Sequence, residues 1–538
     1  MQEEVNSLSA RGKLLSLLAL AAALRFYGLN WDGGLGAHPD ERYIVALAEG
    51  LRFSPPSALN PFALDPLYPY GHLPLYLLLA LRTLLPAADP LLLGRALAAL
   101  SDLATVALAF LLGREVFGET AGLWAAAFLA VMPLHVQQAH FFTADPLLAA
   151  GVVGALYYAV RLARRGRPAD GLLAGSLFGL ALSAKFTGAF LLFPLGMALT
   201  FHASGRRWRL GTLALAAAGG VFAVANPYAL VEWGSFWHAV SRQAAILRGT
   251  LDAPYTLQFH DTLPYLYPIA QQLRWGMTVP LGLLAFGGLG YALWRAVREP
   301  PSPAEWVLLA WALPFFAFFG GLPARFPRYL LPLTPLLALY AASLPGKVAA
   351  YLRPVALLTA LIVSVALVAT YHLPHPWMAA AEWLDGHLSP ADVVAVEHWD
   401  QPLVPPATGA TVRVLPVFDA DTPEKQAVME RVLAEADYIV IASRRGYGVL
   451  AGWPERYPWT ARYYRRLFSG DLGFVPVACF RRDPRLGPLV IKDDPAARVN
   501  LTLPDLCRAA ATWRFSPGRL DESFVVYDHP QVIIFARR

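Results

Sequence analysis

Through the first 372 positions, apolar residues run in blocks of about 15 to 25, divided by short polar or basic turns. Blocks of that length match helices crossing a bilayer rather than amphipathic helices around a soluble core. They predict membrane helices near 14–29, 90–112, 121–134, 146–161, 171–184, 187–202, 210–226, 279–296, 304–321, 328–344 and 354–372, about eleven in all. A further stretch, "HLPLYLLLALRTLLP" at 72–86, is apolar but short, carries Arg82 and is bracketed by prolines. Counting it as a span would reverse the sides of Arg161–Arg167 and Arg206–Arg209 relative to the N-terminus. It is therefore assigned as a helix lying in the outer interface. Arg11 and Lys13, Arg114, Arg295 and Arg298, and Lys347 with Arg353 then fall on the cytoplasmic side, together with the N-terminus. Residues 14–29 lack a small-residue cleavage site, so they read as an uncleaved first span. Long outer loops follow at 31–89 and 227–278, with shorter ones at 135–145, 183–188 and 321–328.

Beyond residue 372 the pattern changes. "ADVVAVEH", "ADYIVIAS" and "SFVVYDHPQVIIFA" read as strands and "PEKQAVMERVLAEA" as a helix, so residues 373–538 predict a soluble α/β domain outside the cytoplasm. Composition agrees with residues 1–372 being a polytopic membrane domain: 56% of the chain is hydrophobic and 15% charged, where soluble domains carry about 25%. The mean hydropathy is +0.44. The formal charge of +6 comes largely from arginines in the turns between blocks, so membrane orientation explains it better than nucleic-acid binding. The two cysteines, Cys479 and Cys507, can form one disulfide in an oxidising compartment or remain apart.

The first outer loop contains "GLGAHPDERYIVAL" at 34–47, which gathers His38, Asp40, Glu41 and Arg42 beside an apolar span. One reading is a helix start, with Pro39 in its first turn and two acids at the positive end of its dipole. The other is chemistry, because the topology brings further charges to the same side: Asp145 opening a helix, Lys185 between two spans, and Arg325 and Arg328 opening another. An aspartate there can accept the proton of an attacking hydroxyl. Lys185, one of five lysines in a chain that otherwise uses arginine, stands where a lipid phosphate would lie, and the two arginines can grip phosphate oxygens or snorkel to the interface. Asp102 lies within 90–112, with Arg95 seven residues earlier on about the same face, and is either a functional acid or half of an internal ion pair. His72 and His260 are candidate ligands for a divalent metal, or ordinary polar groups of the loops. Tyr255, Phe259, Tyr265 and Tyr267 suit sugar stacking or anchoring in the interface.

Taken together, the acidic pair, "HFFTADPLLAA" (140–150), "LSAKFTG" (182–188) and "ARFPRYLLPLTPLLAL" (324–339) resemble the GT-C glycosyltransferases. Within that superfamily they are similar to the branch of protein O-mannosyltransferases and aminoarabinose transferases. "TARYYRRLFSGDLGF" (460–474) and "DESFVVYDHPQVIIF" (521–535) are similar to tails of bacterial members. The resemblance implies a GT-C fold and the transfer of a hexose or pentose from a polyprenyl-phosphate sugar to a hydroxyl of a protein, lipid or polysaccharide, by one inverting displacement at the outer face of the cytoplasmic membrane. It implies Asp40 as general base, Glu41 as its partner in orienting acceptor or metal, and Asp145 as a second acid near the anomeric centre. Lys185, Arg325 and Arg328 would hold the lipid phosphate, and Arg95 matches an arginine that follows the first loop. The chain departs from its relatives at "YGHLPLY", where His72 replaces an expected acid or lysine.

Two other functions fit parts of the pattern. A lipid or small-molecule transporter or flippase would place ionisable groups along a path through the midplane, whereas most of these cluster at one surface. A non-catalytic assembly platform would rest on the α/β domain, in which no nucleophile or phosphate-binding glycine pattern stands out.

Overall fold

Helical structure forms at every one of the eleven apolar blocks, but with unequal lengths. The computed structural model describes residues 2–399, 403–493, 495–508 and 513–538. Among the described residues five helices are long and apolar enough to cross a bilayer: Pro90–Phe117, Ala144–Arg165, Ser204–Ala225, Pro303–Gly321 and Lys347–Val368. The chain is thus a multi-pass membrane protein, with five spans given by length and composition together beside the eleven expected. Proline explains part of the shortfall. The block at 121–134 is cut at Pro133 into Glu119–Ala130 and Pro133–Gln138, and Pro327, Pro332 and Pro335 leave only Thr334–Ser343 helical beyond a 3-10 turn. The stretch assigned to the interface forms a helix of 12 residues, Leu73–Leu84, about 18 Å long against a hydrocarbon layer of about 30 Å.

The chain divides into two units. The helical unit takes residues up to Leu29, His38–Leu251 and Thr262–Val365. Its first helices are α1 (Gln2–Phe26), α2 (Pro39–Gly50), α3 (Leu73–Leu84), α4 (Pro90–Phe117), α5 (Glu119–Ala130), α6 (Pro133–Gln138), α7 (Ala144–Arg165) and α8 (Pro168–Ala184). Small residues bring the backbones close, as they must where water supplies no hydrophobic drive between helices. Gly171, Gly175 and Gly179 line one face of α8 against Ser204–Ala225, and a Cβ on Gly175 would stand 2.0 Å from the Ala214 carbonyl oxygen. The opposite side of α8 meets α7, where Gly151 faces Ala181. Held on both sides, α8 delivers Lys185 to its carboxyl end, directly beside the first turn of α7.

The C-terminal unit comprises Asn30–Ala37, Asp252–Asp261 and Ala366–Arg538. Its strands are β1 (Val393–Glu397), β2 (Thr411–Leu415), β3 (Tyr438–Ile441), β4 (Phe474–Phe480), β5 (Arg485–Leu486), β6 (Leu489–Ile491), β7 (Trp513–Phe515) and β8 (Val532–Arg537). Five of them form a sheet in the order β2-β1-β3-β8-β4, parallel among β2, β1 and β3, with β8 antiparallel to both neighbours. The helix Pro423–Glu435 is the crossover from β2 to β3, and its Met429, Val432 and Leu433 join Ala395, Ile439, Ile441 and Phe535 in the core. Of the stretch read as one strand over 523–536, only Val532–Arg537 is extended. Its first part is a 3-10 turn, because the Asp521 side chain accepts from the Ser523 amide and Pro530 has no amide to give a ladder. Strand β4 lies at the sheet edge, where a proline is tolerated: a bulge between Pro476 and Ala478 interrupts its register. A second, three-stranded sheet has the order β5-β6-β7.

Cys479 in β4 is bonded to Cys507, across a sequence separation of 28. Closing a loop of that length restricts the unfolded chain by about 3 to 4 kcal/mol. Reductant is therefore expected to lower the melting temperature of the C-terminal unit in the parent and to leave a Cys479→Ser, Cys507→Ser variant unchanged. Equal melting of reduced and oxidised parent would contradict a stabilising bridge.

Candidate functional site

Consecutive acids on a helix point about 100° apart, and α2 uses this to separate Asp40 from Glu41. Glu41 belongs to the buried stripe that continues through Ile44 and Ala48. Its carboxylate is withdrawn from water and forms a fork with Arg95 of α4, at 3.0 Å from Nε and 2.5 Å from Nη2. It also accepts the amide of Phe142 at 3.1 Å, while Arg95 donates to the Leu29 carbonyl at 2.8 Å. Glu41 and Arg95 thus hold each other and join α2, α4 and the segments flanking α1 and α7.

Asp40 turns the other way, into a half-buried group of charges and phenols. The His38 ring caps α2 by accepting the Asp40 amide at 3.2 Å. Arg328 Nη2 lies 3.1 Å from an Asp40 carboxylate oxygen, and Arg328 Nη1 is 3.4 Å from His38 Nε2. Burial pushes the Asp40 carboxyl up, but Arg328, His38 and Lys185, with a hydrogen bond from Tyr70, together hold it below its ordinary value. Asp145, in the first turn of α7, receives Lys185 Nζ at 2.8 Å. The ammonium also sits 5.2 Å from the ring centre of Tyr329 and 6.0 Å from that of Tyr70. Five elements thus converge on one cluster: the amino end of α2, the segment before α3, the amino end of α7, the carboxyl end of α8 and the turn Pro327–Leu330.

Local backbone contacts place the two phenols. The Gly71 amide donates to the Ala184 carbonyl at 3.2 Å, and a Cβ there would stand 1.8 Å from the Ser183 carbonyl oxygen, so only glycine lets the chain carry Tyr70 alongside Lys185. Arg325 is committed nearby: it donates to the Leu322 carbonyl at 2.6 Å and the Thr262 carbonyl at 2.7 Å. Those donors anchor the loop that presents Arg328 and Tyr329.

The remaining predicted residues lie apart from this cluster. His72 is buried against Phe62, Tyr68 and Tyr76, its ring nitrogens make no hydrogen bond, and burial pushes its imidazole down to about 4. His260 belongs to the C-terminal unit, stacked on Trp453 at 3.6 Å. Among the described residues no group of three or more His, Cys, Asp or Glu side chains is arranged to hold a metal. Tyr265 is pinned by its amide to the Gly320 carbonyl and by its hydroxyl to that of Ala317, Tyr267 is buried, and Phe259 is buried in the C-terminal unit. Asp102 does form an internal ion pair, although with other partners than Arg95: Arg25 Nε at 2.7 Å and His135 Nδ1 at 2.5 Å, with His135 Nε2 bonded to Thr334 at 2.7 Å. Tyr70 and Tyr329 carried no prior signal beyond their proximity to Gly71 and Arg328.

The family model described as dolichyl-phosphate-mannose-protein mannosyltransferase matches residues 75–230, which include Asp145 and Lys185. No curated protein matches the chain by sequence. The structure of the oligosaccharyltransferase AglB from Archaeoglobus fulgidus, in complex with an inhibitory peptide and a dolichol-phosphate, is similar with a TM-score of 0.51 and 16% identity, over 85% of this chain and 72% of that one. ArnT from Cupriavidus metallidurans, bound to undecaprenyl phosphate, is similar with a TM-score of 0.45 and 16% identity, over 82% of this chain and 93 to 94% of ArnT in its two structures. The chain has the GT-C fold that its sequence resembles.

Removing one half of a buried ion pair strands the other charge, at a cost of about 3 to 5 kcal/mol, whereas removing both is milder. Glu41→Ala is expected to lower the melting temperature more than the double variant Glu41→Ala, Arg95→Met does. A single variant as stable as the parent would show that the fork is not structural.

Proposed function

We propose that the chain is a glycosyltransferase, moving a hexose or pentose from a polyprenyl-phosphate donor to a hydroxyl acceptor at the outer face of the cytoplasmic membrane, with the C-terminal unit on that same side. The observation that carries the reading is the crossed pairing of two acids with two bases in one half-buried cluster, Asp40 with Arg328 and Asp145 with Lys185. The match of residues 75–230 to mannosyltransferases supports it. So does the disulfide, which suits an oxidising compartment.

In this reading a donor phosphate competes with the carboxylates for Arg328 and Lys185. As it takes up the cations, Asp40 loses the charges that hold its proton affinity down and becomes a better base. The acceptor proton passes to Asp40, the acceptor oxygen bonds to the anomeric carbon, and the bond from that carbon to the phosphate oxygen breaks. Polyprenyl phosphate leaves as an anion, met by the same two cations where its charge develops. Asp145, freed from Lys185, faces the positive charge that gathers on the sugar ring. A transporter needs a polar path across the bilayer, whereas Arg25, Asp102, His135 and Thr334 close on one another.

Release of free polyprenyl phosphate by purified protein, with a panel of polyprenyl-phosphate sugars and membrane extract as acceptor source, tests this. Asp40→Asn is expected to reduce turnover by about 10²- to 10⁴-fold, and Lys185→Ala to reduce it as strongly while the protein stays folded. Turnover of the Asp40→Asn variant at the parental rate would refute the assignment. The acid limb of kcat/KM, which reports the free enzyme, is expected below the ordinary carboxylate range, and that of kcat at higher pH, because bound phosphate draws Arg328 away from Asp40. Coincident limbs would exclude that competition.

A further inference from the structure

The C-terminal unit has a parallel core whose first strand, β1, lies between β2 and β3, so the chain leaves the carboxyl ends of β1 and β3 in opposite directions. In open α/β sheets such a divergence forms a crevice outside the strand ends, which is where ligands bind. Here the segment after β3 reads Ser443-Arg444-Arg445-Gly446. Two cavities open on Arg444, of about 350 and about 270 Å³ with their mouths included.

Among the described residues, the smaller cavity is lined by Arg444, Arg498 and Arg519 and by the acid Glu522. Arg444 is buried, donates to the Asp521 carbonyl at 2.9 Å and pairs with Asp493, while its Nε is without a partner. Glu522 is buried too, with one oxygen 3.3 Å from Arg445 Nε and the other without a partner. Gln258 ties this wall together, its side-chain oxygen accepting the Glu522 amide at 2.9 Å and its carbonyl accepting from Arg519 at 2.6 Å. Burial pushes the Glu522 carboxyl up to about 7, against Arg445 and Arg444 and with Asp521, so near neutrality it can itself donate a proton to an oxygen. All of these residues belong to the C-terminal unit, and none takes part in the Asp40 cluster.

We propose that this cavity is an anion site, which receives the carboxylate or phosphate group of a small acidic ligand or of an acidic substituent on a larger one. Guanidinium forks suit both groups, and Arg444 and Arg498, which share the one carboxylate of Asp493, leave a surplus of positive charge for an incoming anion. The site stands whether or not the transferase reading does.

Calorimetric titration of the purified full chain with inorganic phosphate, and separately with glucuronate, tests the proposal. Saturable binding of one or both is expected, weakened at least about tenfold in Arg498→Ala, Arg519→Ala, since a hydrogen bond to a charged group contributes about 1.5 to 3 kcal/mol. Arg498 is exposed and Arg519 half-buried, and the melting temperature of that variant, measured beside the parent's, separates loss of the site from loss of the fold. Lys185→Ala is expected to retain the binding, and Glu522→Gln to strengthen it above neutral pH. Phosphate preference would point to a phosphorylated ligand and glucuronate preference to an acidic saccharide. Failure of both anions to bind, unchanged affinity in the double arginine variant, or loss of binding in Lys185→Ala would overturn the proposal.

Discussion

The Glu41–Arg95 fork is the contact on which the geometry of the helical unit depends. Neither side chain reaches water, so the two charges must satisfy each other, and the remaining polar atoms draw in the Phe142 amide and the Leu29 carbonyl. One ion pair thereby sets the amino end of α2 relative to α4 and to the segment that feeds α7. Asp40 is the next residue along, facing outward because Glu41 faces inward. The orientation of the proposed base is thus inherited from the Glu41–Arg95 pair.

A second constraint is how closely the backbones approach. Gly175 and Gly71 stand where a Cβ would collide with carbonyl oxygens of Ala214 and Ser183. The first fixes the position of α8 and so of Lys185; the second fixes Tyr70 beside it. Arg325 does the same for Arg328 from the far side, by clamping a loop through carbonyl oxygens rather than by touching the cluster.

Much of this was legible from the chain, and the rest was not for definite reasons. Helix positions followed from apolar block length, and the convergence of Asp40, Asp145, Lys185 and Arg328 followed from sidedness, because loops on one face of a membrane share a small volume. Partner choice did not follow. Helical spacing pointed Asp102 at Arg95, yet Arg25, 77 residues away, takes it, since a tertiary neighbour leaves no trace in local periodicity. Arg325 and Arg328, three residues apart and alike in charge, are held differently: Arg325 donates to the Leu322 and Thr262 carbonyls, whereas Arg328 lies beside Asp40 and His38. The stretch 523–536 alternates as a strand should, but the Asp521 cap and Pro530 shorten it to its second half.

The crossed pairing at the cluster has a further consequence for selectivity. A bilayer surrounds this unit with phosphates at far higher density than any rare carrier lipid can reach. Two bare cations would be occupied by those abundant headgroups. With Asp40 seated on Arg328 and Asp145 on Lys185, the two pairs balance each other's charge, and a common phospholipid would gain little by displacing carboxylates it cannot improve upon. Under the proposed transfer, admission would fall to a lipid whose sugar and chain bring contacts enough to make the exchange favourable, and the carboxylates assigned to the chemistry would also act as a filter against the surrounding lipid.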